Sequence, residues 1–149
     1  MTFSNTQRGM SRAAAYGPGS RFWVYKELTS SGILQTAADL TGVSEGGKLA
    51  LIGVILKTDA TGLAAGTNFV LQSNNANGLA TILSTAVSGL GANKTVTLLD
   101  ASVTKVPTIL EEGKKIQYKS TAADCTGSGK IGVYLQFERL DEKATIAAA

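Results

Sequence analysis

The 149-residue chain has no histidine and one cysteine, Cys125, so it lacks the imidazole that Ser-His-Asp and Cys-His catalysis require and the ligands of a common zinc site. Its net charge of +3 is too small to indicate nucleic-acid binding by itself. Only 17% of the residues are charged, which fits either a surface partly covered by a partner or a small domain coated with Thr, Ser and Asn.

The first part of the chain is cationic. No acidic residue occurs before Glu27, and the turn signal Gly17–Ser20 separates the first residues from the apolar segment that follows. The basic residues of this stretch are Arg8, Arg12, Arg21 and Lys26. We interpret residues 1–21 as an extended basic N-terminal arm.

Neither a signal peptide nor a membrane span is predicted. The segment Met1–Arg8 lacks the apolar centre of a signal peptide. The longest apolar run, Leu49–Leu56, is far shorter than the roughly 20 residues that cross a bilayer. We therefore expect synthesis in the cytoplasm and no membrane insertion.

Segments rich in β-branched and aromatic residues alternate with turn signals along the rest of the chain. The strand candidates are residues 22–28, 48–58, 68–72, 79–88, 94–100, 105–110, 115–120 and 130–140. Residues 79–88 also fit a helical spacing, but their Thr and Ser content and their place between two turns favour a strand. Gly53, inside the most apolar segment, indicates a β-bulge or a close backbone approach.

The alternation of apolar and polar residues is clearest in residues 130–140. The apolar positions are Ile131, Val133, Leu135 and Phe137. About eight such strands without a long helix are typical of an antiparallel β-sandwich or barrel. We predict an all-β domain over residues 22–140, followed by a C-terminal tail at 141–149.

Candidate chemistry is sparse. No glycine-rich segment has the spacing of a phosphate or dinucleotide loop, so no cofactor is predicted. Glu27 and Glu138 lie in strands and could face each other as a hydrolytic pair, but exposed strand carboxylates are the simpler interpretation. Asp39 and Asp59 offer one carboxylate each in their turns, which does not make a calcium loop. Cys125, without a second cysteine, predicts neither a disulfide nor a redox role. We expect that the protein is not an enzyme.

Several segments together resemble one family of virion proteins. They are Gly46–Leu56, Ala65–Phe69, Asn74–Ala80, Gly89–Lys94 and Val106–Gly113, followed by the final alternating strand. In style and order, residues 45–140 are similar to the jelly-roll decoration, or cementing, proteins of tailed bacteriophages. The resemblance implies a jelly-roll sandwich that binds the outer capsid surface and bridges neighbouring major capsid subunits. It also implies a dimer or trimer located in the virion, and no catalytic residue.

The expected interface residues come from the arm and its junction with the first strand. They are Arg8, Arg12, Tyr16, Arg21 and Trp23. Arginines without nearby acids can steer the arm to an acidic surface, and Tyr and Trp commonly anchor interfaces. The alternatives are another virion component (a head fibre base, tail or adaptor protein), a carbohydrate-binding β-sandwich with aromatic rings on one face, and a small hydrolase. Direct nucleic-acid binding is not favoured, because the basic residues elsewhere are scattered.

Overall fold

The computed structural model describes residues 19–75, 78–97 and 103–149. These residues contain ten strands: β1 (Arg21–Thr29), β2 (Ala38–Asp39), β3 (Leu49–Thr58), β4 (Asn68–Asn75), β5 (Gly78–Ala86), β6 (Thr95–Thr97), β7 (Val103–Thr104), β8 (Thr108–Leu110), β9 (Ile116–Ser120) and β10 (Lys130–Arg139). Short 3-10 helices at Ser30–Gly32 and Val87–Leu90 follow β1 and β5. Within the described ranges, no helix is long and apolar enough to cross a bilayer.

The strands form two antiparallel five-stranded sheets. The first has the order β1-β10-β3-β6, with β8 also paired to β3, and the second has the order β2-β9-β4-β5-β7. The chain changes sheet at every connection except the β4–β5 hairpin, and its first and last strands are neighbours. This is the order of a jelly roll. The predicted all-β, jelly-roll-like sandwich is therefore confirmed, with ten described strands rather than about eight, because β2 and β7 are only two residues long.

The inner faces of the two sheets enclose one apolar core. Along β10, Ile131, Val133, Leu135 and Phe137 are at most 1% exposed, whereas the residues between them are partly exposed. Phe69 and Leu71 of β4, in the opposite sheet, are fully buried. The alternation predicted for residues 130–140 is thus the side-chain period of a strand packed on a core from one side.

Two β-bulges explain the irregular spacing of apolar residues in β3 and β5. In β3, Gly53 pairs with Gln136 while Leu51 pairs with the next residue of β10, so one extra residue lies between them, as predicted for the neighbourhood of Gly53. The bulge lets both Leu51 and Val54 face the core. In β5 a register shift similarly buries the adjacent residues Ile82 and Leu83. Residues 78–86 are therefore a bulged strand, and their helix-like spacing comes from the bulge.

The segment after β10 packs against the body of the domain. Residues 145–148 form isolated bridges with Thr41 and Glu45, and Gly42 N–H donates to the Ala147 carbonyl at 2.9 Å. Ala144 and Ile146 are buried with the core residues. The residues predicted as a tail, 141–149, thus run along the side of the sandwich next to β2.

Candidate protein interface

β1 presents alternate residues to the core and to the outer side of the first sheet. Val24 and Leu28 are buried, whereas Trp23 and Tyr25 are 50% and 47% exposed. Successive side chains of a strand point to opposite faces, so the aromatic-rich sequence of β1 necessarily places some of its rings outside. Exposed Trp and Tyr side chains are the residue types that most often anchor protein interfaces.

The pairing of β1 with β10 extends this aromatic surface. The register sets Tyr25 opposite Tyr134 and Trp23 opposite Gln136. The two tyrosine rings lie 4.7 Å apart between centroids, tilted by 41°, and Lys57 Nζ of β3 lies 5.7 Å from the Tyr134 centroid. An aromatic pair of this kind contributes about 0.5–1.5 kcal/mol beyond its buried area. We call the surface formed by Trp23, Tyr25, Tyr134 and Gln136 the aromatic face.

A glycine makes room for the tyrosine pair. A Cβ added at Gly132 would lie 3.0 Å from Tyr25 Cε2 and 3.4 Å from Tyr134 Cε2, so a larger side chain would push against both rings. Burial, with the nearby Glu27 carboxylate, raises the pKa of Tyr25 above 10.0. A side-chain hydrogen bond between the phenol and Glu27 also contributes to this rise, which links Tyr25 to the ion pair at that end of the face.

Ion pairs flank the aromatic face at both ends. Arg21 Nε lies 3.2 Å from Glu138 Oε1 at one end, and Lys130 Nζ lies 3.4 Å from Glu27 Oε1 at the other. Exposed pairs such as these contribute at most ~1 kcal/mol each to stability. Their main effect is to hold charges of both signs at fixed positions around the rings.

The start of β1 is held in place by a buried arginine. Arg139 Nε donates to the Ala144 carbonyl at 2.8 Å, and its guanidinium carbon lies 4.3 Å from the Phe22 ring centroid. The Arg139 side chain also donates to Ser20 Oγ at 3.0 Å, and Gly19 N–H donates to the Arg139 carbonyl. These contacts fix the point at which residues 1–18 join the sheet, next to the aromatic face.

The structure brings together two of the five predicted interface residues. Arg21 and Trp23 both lie on the outer side of β1, and Arg21 begins the strand rather than ending an arm. Arg8, Arg12 and Tyr16, with most of the predicted arm, lie outside the described residues.

Sequence reasoning left Tyr134 and Lys57 out of the site. The alternation of residues 130–140 already placed Tyr134 outside. Its contact with Tyr25 depends on a pairing between strands from opposite ends of the chain.

Glu27 and Glu138, the two carboxylates that could have formed a hydrolytic pair, are far apart. Glu27 is opposite Gly132 and Glu138 is six residues further along β10, a separation of about 20 Å at the rise of a strand. The prediction that they could face each other is therefore wrong, because the register gives each a different basic neighbour. A cleft of about 420 Å³ beside Arg139 has Glu142 as the carboxylate in its lining.

Metal-binding clusters and reactive thiols are the other groups that could carry chemistry. Among the described residues, no group of three or more Asp, Glu, His and Cys side chains could hold a metal ion. Cys125 is 3% exposed, its Sγ lies 3.5 Å from the Ala65 carbonyl oxygen, and burial raises the pKa of its thiol. A buried, protonated thiol is a poor nucleophile, so this cysteine acts as a small core residue.

Comparison with known proteins finds distant structural likenesses. No protein-family model and no curated protein matches the chain. The capsid asymmetric unit of cyanophage Pam1 has 19% identity and a TM-score of 0.47, over 81% of this chain and 86% of the other. The Drosophila NLP core, whose structure concerns pentamer formation and histone binding, has 17% identity and a TM-score of 0.40, over 78% and 98%. Infectious bursal disease virus Gx strain has 12% identity and a TM-score of 0.23, over 87% and 38%. At these TM-scores no function follows from the likenesses.

Proposed function

We propose that the protein is a structural virion component that binds the outer surface of a phage capsid and bridges neighbouring major capsid subunits. The observation that carries the proposal is the surface at the start of β1. There, Trp23 and Tyr25 are exposed beside the fixed point at which the cationic residues 1–18 join the sheet. The jelly-roll order and the sequence resemblance to capsid decoration proteins support the same role.

The proposed mechanism is mechanical. Arg8 and Arg12 bring positive charge, and Tyr16 an aromatic anchor, to an acidic surface of the shell. Self-association into a dimer or trimer then places several such segments in one particle. Linked contacts bind more tightly than single ones without new chemistry, so the bridged shell resists internal pressure. The role needs no cofactor.

Co-sedimentation with purified phage heads tests the proposal. Deleting residues 1–18, or the double substitution Arg8→Glu/Arg12→Glu, is expected to reduce binding at least ~10-fold, because reversing two charges replaces attraction with repulsion. The reduction should be larger at low salt, where screening is weak. The matched control is Lys94→Glu/Lys143→Glu, which makes the same change in net charge at two exposed lysines elsewhere.

Three results would count against this role. If phage heads bind the variant lacking residues 1–18 as tightly as they bind the full chain, this segment is not part of the interface. Binding to purified tails alone would favour a tail or adaptor component. Binding to neither would remove the virion role.

One observation favours a second candidate, carbohydrate binding. Trp23, Tyr25 and Tyr134 gather on one exposed sheet face, with Gln136 and Lys57 beside them as polar groups. Sugars stack on exposed aromatic rings and use such groups for hydrogen bonds. Specific binding on a glycan array that Trp23→Ala abolishes would establish this function in place of capsid binding.

A further inference from the structure

The charges around the aromatic face have an approximate two-fold pattern. In chain direction, the first charged residue on the outer side of β1 is the cation Arg21 and the last is the anion Glu27. The outer side of β10, which runs the opposite way, likewise begins with the cation Lys130 and ends with the anion Glu138. Each end of the face therefore has one cation and one anion.

This pattern is complementary to itself. A two-fold axis across the strands, between the rows of Trp23 and Tyr25, would stack β1 antiparallel on β1 of a second copy. Arg21 would then lie over Glu27 of the second copy. Glu138 would likewise lie near the Lys130 ammonium of that copy, and the aromatic rows would pack on each other. Face-to-face packing of sheets at about 10 Å is a standard arrangement, and opposite charges at both ends would fix its direction.

We propose that the aromatic face is the contact between two copies of the chain. This inference rests on the self-association included in the proposed function, and it assigns that self-association to one surface. A contact centred on the aromatic face and extending over the outer side of the first sheet, whose strands have up to ten residues, would cover on the order of 30 by 20 Å. This is near the ~800 Å² per partner of a standard interface once side-chain relief is added.

The charges around the aromatic face favour a second copy of the chain as its occupant, rather than residues 1–18 of the same chain. Residues 1–18 contain Arg8 and Arg12 and no acid, whereas the aromatic face presents both signs in balanced pairs. A purely cationic segment would meet the cation of each pair there, and Lys57 beside Tyr134 as well. A second copy matches each charge of these two ion pairs with its opposite.

Charge-swap variants test the proposal by sedimentation velocity over a range of protein concentrations. Arg21→Glu/Glu138→Arg keeps the pair within the chain but places like charges across the interface, and so does Glu27→Lys/Lys130→Glu. Each variant alone is expected to dimerise at least ~10-fold more weakly than the original chain. An equimolar mixture of the two should recover the dimer, because each then faces opposite charges. The control Asp39→Lys/Lys115→Asp swaps an ion pair on the second sheet and should leave the dimer unchanged.

A second pair of variants keeps the test decisive if a swap impairs folding. Trp23→Gln should weaken the dimer, whereas Leu34→Gln, at a residue 43% exposed outside the aromatic face, should not. A chain that is monomeric at every concentration, swaps that still dimerise alone, or a mixture that does not recover would each overturn the proposal. Dimerisation that appears only after removal of residues 1–18 would do so too. No capsid is present in this measurement, so its failure is separate from failure of capsid binding.

Discussion

Gly129 occupies a position at which the fold leaves no room for a side chain. It precedes β10, and a Cβ added there would lie 1.8 Å from the carbonyl oxygen of Gly62. That oxygen belongs to the turn after β3, which Asp59 closes by accepting the N–H groups of Thr61 and Gly62 at 2.9 and 2.8 Å. Backbone therefore packs against backbone, and neither side can move away by changing a rotamer.

Gly129→Ala is expected to lower the free energy of unfolding by about 1–3 kcal/mol, the usual cost of overpacking. Gly89→Ala is the matched control, because nothing lies within 4 Å of a Cβ at that position. It should change stability by less than ~0.5 kcal/mol. Urea unfolding of the three proteins measures the difference, and equal midpoints for the two variants would contradict the packing described.

At the scale of elements, the C-terminal segment packs against the domain in a way that its amino-acid composition does not indicate. Residues 144–149 are mostly alanine, with Ile146 as the single large apolar residue. Ile146 is 5% exposed, and the backbone beside it pairs with residues 41–45. The segment thus closes the side of the sandwich next to β2.

Truncating Ile146 tests this closure. Ile146→Ala should lower the free energy of unfolding by about 2–4 kcal/mol, as for other buried aliphatic side chains. Val43→Ala removes an aliphatic side chain that is 49% exposed in the adjacent segment, and it should cost less than ~0.5 kcal/mol. Chemical denaturation compares the two variants. Similar small losses for both would mean that the segment adds nothing to the core.

Sequence patterns predicted the strands in which buried and exposed residues alternate along the chain. β10 has one buried side and one partly exposed side, so period two is visible in the chain itself. The strand at 78–86 was harder to assign, because its bulge depends on the facing strand β4. The aromatic face was predictable in part for the same reason. Trp23 is visible as an interface residue type, but its neighbour Tyr134 comes from a strand at the other end of the chain.

At the scale of the whole molecule, two carboxylates, one associated with each sheet, make the stability of the fold depend on pH. Asp39 accepts hydrogen bonds from Gln117 at 3.1 Å and Lys115 at 3.0 Å, which joins β2 to β9 in the second sheet and lowers its pKa below 3.8. Asp59 closes the turn after β3 of the first sheet, and the backbone N–H groups it accepts, with that of Gly62 contributing most, lower its pKa as well. Both groups bind protons less readily in the folded state than in the unfolded chain.

Stability from these two groups should therefore be fully present above about pH 5 and should fall as the pH drops through 4 toward their lower folded-state pKa values. Urea midpoints between pH 2 and 7 should show this decline. In Asp39→Asn/Asp59→Asn the decline should be shallower, because neither amide can take up a proton. Glu142→Gln, at an exposed carboxylate outside both hydrogen-bond sets, should keep the original pH profile. If the double variant loses stability with acid as steeply as the original chain, the acid response arises from carboxylates other than Asp39 and Asp59.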